Sequence, residues 1–85
     1  MSNEIKRLIC SSTTKPKRLA YAILKEIDKH KPLFIDCIGA NAINNTVKAI
    51  SYAQEKKPSV FCKPYFILSE TKESSATVVT RFEVW

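Results

Sequence analysis

Apolar residues recur along the chain in two rhythms. Leu33, Phe34, Ile35, Cys37 and Ile38 form a short run rich in β-formers, and Gly39, the only glycine, follows it. The run predicts a buried strand, and the glycine a tight pivot where a backbone conformation awkward for other residues is tolerated. Beyond it Ile43, Val47 and Ile50 return at helical spacing with Thr46 alongside, while Ala42, Ala49 and Ala53 form a second, small-residue stripe. Such a pattern predicts a helix that lays about half its circumference on a sheet and leaves Asn41, Asn44, Lys48, Ser51 and Glu55 to solvent. Alanines on a helix edge permit close backbone approach, inside the monomer or across a dimer; core packing is the favoured reading.

The rest of the chain extends the same alternation. Glu4 to Cys10, with Ile5, Leu8, Ile9 and Cys10, is too short for a helix and predicts a first strand. Ser11 to Thr14 break the pattern, with Thr14 placed as an N-cap and Pro16 in the first turn, where a missing N–H costs nothing. A helix then runs to about His30, with Leu19, Ile23 and Ile27 in line and Ala20 and Leu24 beside them. Pro32 separates it from the strand at Leu33. The second helix ends near Glu55–Lys57 and Pro58 closes it. Val60 to Leu68 reads as a third strand whose Pro64 points to an edge or a bulge. Ser69 to Ser75 is a polar hairpin connection carrying Lys72. Ala76 to Trp85 closes the chain, with Val78, Thr80, Phe82 and Val84 on one face and Val79, Arg81, Glu83 and Trp85 on the other.

The order is therefore β-α-β-α-β-β in one domain over residues 1–85. Right-handed crossovers put both helices on one face of a mixed four-stranded sheet, a two-layer α+β arrangement within the α/β class. The opposite sheet face stays uncovered in a monomer, with Lys63, Arg81 and Trp85 as candidates to line it.

Charge changes the picture next. Fourteen Lys and Arg stand against eight Asp and Glu, a formal charge of +6 on 85 residues, so polyanions are the natural partners. No acid occurs between Ile5 and Lys25, yet Lys15, Lys17 and Arg18 crowd the start of the first helix, where the macrodipole is already positive. Either these side chains splay into water at a small cost, or a phosphate lands on the turn and meets helix N–H groups and three cations together; the second reading is preferred.

Other chemistry finds little support. The three cysteines, Cys10, Cys37 and Cys62, are odd in number, widely spaced and set in apolar strands, as reduced thiols of an intracellular protein are. The lone His30 lies among lysines at a helix end, so neither a metal site nor a nucleophilic triad is expected. Gly39-Ala-Asn-Ala lacks the further glycines of a dinucleotide-binding turn, and no cofactor is expected. Asp36, inside an apolar strand, is either a functional carboxylate or, as is commoner, a residue at a strand end or the partner of a nearby lysine. Neither a leader's apolar region nor a stretch of membrane-spanning length is present in the sequence, so a cytoplasmic protein, or one of the nucleoid or nucleus, is expected.

Gly39-Ala-Asn-Ala-Ile-Asn-Asn-Thr-Val-Lys-Ala-Ile50 resembles the Gly-Ala-x-Ala-(Leu/Ile)-Asn-x-x-Val-Lys-Ala-(Val/Ile) segment of the stage V sporulation protein S family, a branch of the Alba superfamily. Cys62-Lys-Pro-Tyr-Phe66 is similar to that family's Cys-x-Pro-x-Phe, and Ser11-Ser12 before the first helix fits too. Thr13-Thr-Lys-Pro16 resembles the Lys-Lys-Pro turn of Alba chromatin and RNA-binding proteins. The resemblance implies an Alba-like domain that forms a homodimer and binds DNA or RNA through basic side chains of the first strand-to-helix turn and the final hairpin. Lys15 and Lys17 match the phosphate-binding lysines, and Lys72 lies in the equivalent hairpin. Alba proteins carry arginines before the second helix; here that turn is Gly39-Ala-Asn41, which leaves Asn41 as its hydrogen-bond donor.

The expected function is low-specificity nucleic-acid binding, with Lys15, Lys17, Arg18, Asn41 and Lys72 as the contacting residues and no catalysis. The alternatives are a regulatory protein-interaction module and a non-catalytic subunit of an RNA-processing complex.

Overall fold

A computed structural model describes residues 5–70 and 76–85. Strand β1 (Arg7–Cys10) leads to helix α1 (Pro16–Glu26), strand β2 (Leu33–Cys37), helix α2 (Ala40–Lys56), and strands β3 (Cys62–Glu70) and β4 (Ala76–Val84). The sheet order is β1-β2-β4-β3. β1 runs parallel to β2, while β4 is antiparallel to both β2 and β3. This is the mixed sheet with two helices that the alternation of periods predicts.

Strand register decides which side chains meet the helices. Leu33, Ile35 and Cys37 of β2 share a face with Cys10 of β1 and with Phe82 and Val84 of β4, and all are buried. Leu19 and Ile23 of α1, with Ile27 just past its end, close on them, as do Ala42, Ala49, Ile50 and Ala53 from α2. The alanine stripe is thus core of the monomer, with Ala42, Ala49 and Ala53 fully buried. Thr46 is buried on the same helix because its hydroxyl donates to the Ala42 carbonyl, 2.9 Å away, so no polar atom is orphaned.

Several boundaries differ from expectation, each for a local reason. β1 occupies only Arg7–Cys10, because it pairs with β2 through just four residues. α1 ends at Glu26 rather than near His30. Lys29 and His30 both donate backbone N–H groups to the Glu26 carbonyl, 3.0 Å away, which closes the helix with a turn. Ile27 nevertheless stays fully buried, so the apolar line outlasts the helix that carries it. Ile38 lies beyond β2 and is exposed, and the Lys31–Pro32 bond ahead of β2 is cis. Gly39 takes φ 92°, the left-handed side that a β-carbon disfavours, and turns the chain directly into α2.

The β3–β4 ribbon is longer than the layer of helices above it. β2 and β4 pair last at Cys37–Thr80, whereas β3 and β4 continue from there to Glu70–Ala76. Val78 therefore emerges exposed on the helix side, with Phe66 and Leu68 beside it. Pro64 lies in β3 at the edge of the sheet, where a missing N–H is tolerated. Val79 departs from the expectation in the other direction: it points to the outer face but is buried, opposite Ile67 of β3.

Cys37 and Cys62 keep free thiols, and burial pushes both above the ordinary thiol value. A raised folded-state pKa favours the neutral thiol, so this contribution is complete below the unfolded thiol's pKa and is lost as pH rises through the folded one. With Cys37 buried as well, alkylation by iodoacetamide at pH 8 should be much slower in the native protein than in urea; mass spectrometry of the time course checks it.

Candidate nucleic-acid interface

The loop between β1 and α1 is held by its own hydrogen bonds. The Ser11 N–H donates to Thr14 Oγ1 at 2.8 Å, the Thr14 N–H to the Ser11 carbonyl at 3.2 Å, and the Thr13 N–H to Ser11 Oγ at 3.2 Å. Hydroxyl residues fold a chain back on itself in this way. Thr14 is thereby spent on Ser11 and does not cap α1; Lys15 is the N-cap, without a side-chain hydrogen bond to the helix. Asn45, one turn into α2, donates through Nδ2 to the carbonyls of Ser11 and Ser12 at 3.3 and 3.2 Å. It ties the loop to α2. No positional rule singles out Asn45 in the sequence, because its partners lie more than thirty residues away.

Two helix starts come together here. β1 and β2 are parallel neighbours that end side by side at Cys10 and Cys37, so α1 and α2 both begin at this end of the sheet. Neither helix has an acid in its first turn, and neither N-cap, Lys15 or Gly39, supplies a side-chain acceptor. Their leading N–H groups face outward with the positive ends of both dipoles. Asn41, at the second position of α2, is exposed one turn before Asn45 and so stands on the helix line that faces the β1–α1 loop.

The cations divide two and one. Lys15, Lys17 and Arg18 are all exposed, and none forms an ion pair among the described residues. Lys15 and Arg18 are three apart and share a side of the first turn. Lys17 leans the other way, its Nζ 5.6 Å from the ring centre of Tyr52 on α2. Lys72 lies outside the described residues. Acids gather instead at the far end of α1, about 16 Å away at helical rise. There Glu26 contacts His30 at 3.6 Å, and Asp28 bonds Lys57, which holds the Asp28 carboxyl below its ordinary range.

The outer sheet face is a second polar arrangement. Arg81 donates to Asp36 through Nε and Nη2 at 2.8 and 2.9 Å, and Arg7 Nε lies 3.4 Å from the same carboxylate. Asp36 thus serves two arginines rather than a lysine, and its bond raises the Arg81 pKa further. Arg81 also covers the Phe34 ring at 4.8 Å. Tyr65 donates its hydroxyl to Glu83 at 2.7 Å, which raises the phenol pKa, and Phe61 stacks with Trp85 at the ribbon's end. Of Lys63, Arg81 and Trp85, all reach this face, but Arg81 is committed to Asp36.

The sequence model of the stage V sporulation protein S family matches residues 6–85. Among solved structures, Alba from Thermoplasma volcanium superposes with a TM-score of 0.60 over 93% of this chain and 95% of its own, at 11% identity. No curated protein sequence matches the chain.

Proposed function

Because the chain belongs to the stage V sporulation protein S family and has the Alba fold, we propose that it is a homodimeric, non-catalytic protein that binds DNA or RNA with little sequence preference. The observation that carries this reading is the pair of uncapped helix starts at one end of the sheet, fringed by Lys15, Lys17 and Arg18 without acidic partners. Backbone phosphates accept from the α1 and α2 N–H groups, Asn41 adds a side-chain donor, and the lysines and Arg18 supply charge. Lys72 of the final hairpin is proposed as a further phosphate contact. Such contacts position a nucleic acid and read no bases, hence the weak preference. No helix among the described residues is long and apolar enough to cross a membrane, and the protein is proposed to work in the cytoplasm, nucleoid or nucleus.

Gel shifts with duplex and single-stranded DNA and RNA at two salt concentrations test the proposal. With phosphates met by the four proposed cations, Lys15, Lys17, Arg18 and Lys72, the log–log dependence of affinity on salt should have a slope of roughly −3 to −4. A flat response refutes phosphate binding. A preference for RNA by about tenfold or more favours a subunit of an RNA-processing complex.

The proposed dimer surface is the overhanging ribbon, where Phe66 and Leu68 are 75% and 72% exposed beside Val78. Burying each large apolar side chain is worth roughly 1.5–3 kcal/mol, which favours a second copy over water. Phe66→Ser with Leu68→Ser should leave the circular dichroism unchanged and weaken dimerisation by on the order of 100-fold, seen as one-chain mass in light scattering. A wild-type chain that is a monomer at all concentrations instead assigns the patch to another protein and favours the regulatory module.

A further inference from the structure

We infer that the outer face of the sheet, above Asp36, binds a small organic anion: an apolar body carrying one carboxylate, sulfonate or phosphate. An open cavity of about 560 Å³ lies there, within the range of small-molecule sites. It forms because the connections leaving β1 and β2 both run to α1 and α2 on the helix face, so neither covers this end of the outer face. Ile9, Ile38 and Val79 wall it, Ser12 stands at its rim, and Asp36 and Arg7 form its floor.

Charge at the floor selects the ligand. Asp36 is nearly buried and its single negative charge is already met in two-point fashion by Arg81, whose side chain is only 17% exposed. Arg7 adds a second positive charge through one longer contact of 3.4 Å and is 50% exposed, so among the described residues the floor carries one cation more than it has carboxylates. A guanidinium has five N–H donors in a planar fork, and Arg7 turns only its Nε toward Asp36, at ion-pair distance. The rest suit a carboxylate or phosphate, which the fork grips at two points. Ile9 and Ile38 lie exposed beside it, and burying them adds an apolar gain that a free inorganic ion does not supply. A cation is repelled by the floor, and a neutral apolar molecule leaves the Arg7 fork without a new partner.

The test uses the whole chain with 8-anilinonaphthalene-1-sulfonate as the fluorescent anion and octanoate as competitor. One equivalent of dye should bind, and octanoate should displace it at least tenfold more effectively than octanol. Arg7→Gln should weaken both ligands about tenfold or more. Ile38→Asp, at an exposed position that leaves the fold intact, should do the same by placing a negative charge at the mouth. Phe66→Ser with Leu68→Ser should leave dye binding unchanged. Equal displacement by octanol, full dye affinity in Ile38→Asp, or loss of the signal in the Phe66 and Leu68 variant would overturn the assignment. So would displacement of the dye by a single-stranded oligonucleotide, which would return the cavity to the nucleic-acid interface.

Discussion

Replacing Lys15, Lys17 and Arg18 together by alanine should weaken binding of every DNA and RNA sequence alike, by on the order of 100-fold. Each exposed charge contact contributes up to about 1 kcal/mol, so three remove about 3 kcal/mol, and 1.4 kcal/mol is tenfold. The salt slope should flatten by roughly 3, since each phosphate contact accounts for about 0.9. The three side chains are exposed and lie at the N-cap and first turn of α1, so thermal stability should hold or rise as like charges leave a positive helix end. Single variants separate the roles. Lys17→Ala also removes the contact with Tyr52, whereas Lys15→Ala and Arg18→Ala act on one side of the turn. Loss of affinity for one sequence only, with the slope unchanged, would refute the phosphate role.

Asp36→Ala should be strongly destabilising. It strands Arg81 in a setting where its side chain is 17% exposed and removes the acceptor from two of its donors. Breaking one side of a nearly buried ion pair costs about 3 kcal/mol, which for a chain of this size lowers the melting temperature by about 12–24 °C. Calorimetry of Asp36→Ala against Asp36→Leu with Arg81→Met gives the decisive comparison. The paired apolar replacement should recover most of the loss, because it removes the stranded charge along with its partner. Equal damage in both variants would mean that the ion pair matters through shape rather than charge.

Much of the fold was legible because helical and strand periods alternate cleanly and because Gly39, Pro32 and Pro58 punctuate them. The misreadings arose where a local rule competed with a contact distant in sequence. Thr14 has a capping residue's chemistry, but Ser11, three positions earlier, claims its hydroxyl. Ile27 continues the apolar line of α1 after the backbone has turned, because a buried side chain does not need a helical backbone beneath it. Val78 has the parity of a core residue and lies in the open, since parity gives a face and not the extent of what covers it. The cationic turn could be proposed from sequence because charge and helix position are both local properties. Asn45 and the arginines around Asp36 could not, because their roles depend on register between segments distant in sequence.

Pro64 has a bearing on how copies of the chain meet. An outer strand nine residues long offers a template on which identical strands stack without limit, and a ring nitrogen lacking hydrogen interrupts that template near its beginning. Endless edge-to-edge polymerisation is discouraged, which leaves the side-chain surface of the ribbon, where a twofold contact would close on itself after two copies, as the ground for the proposed dimer.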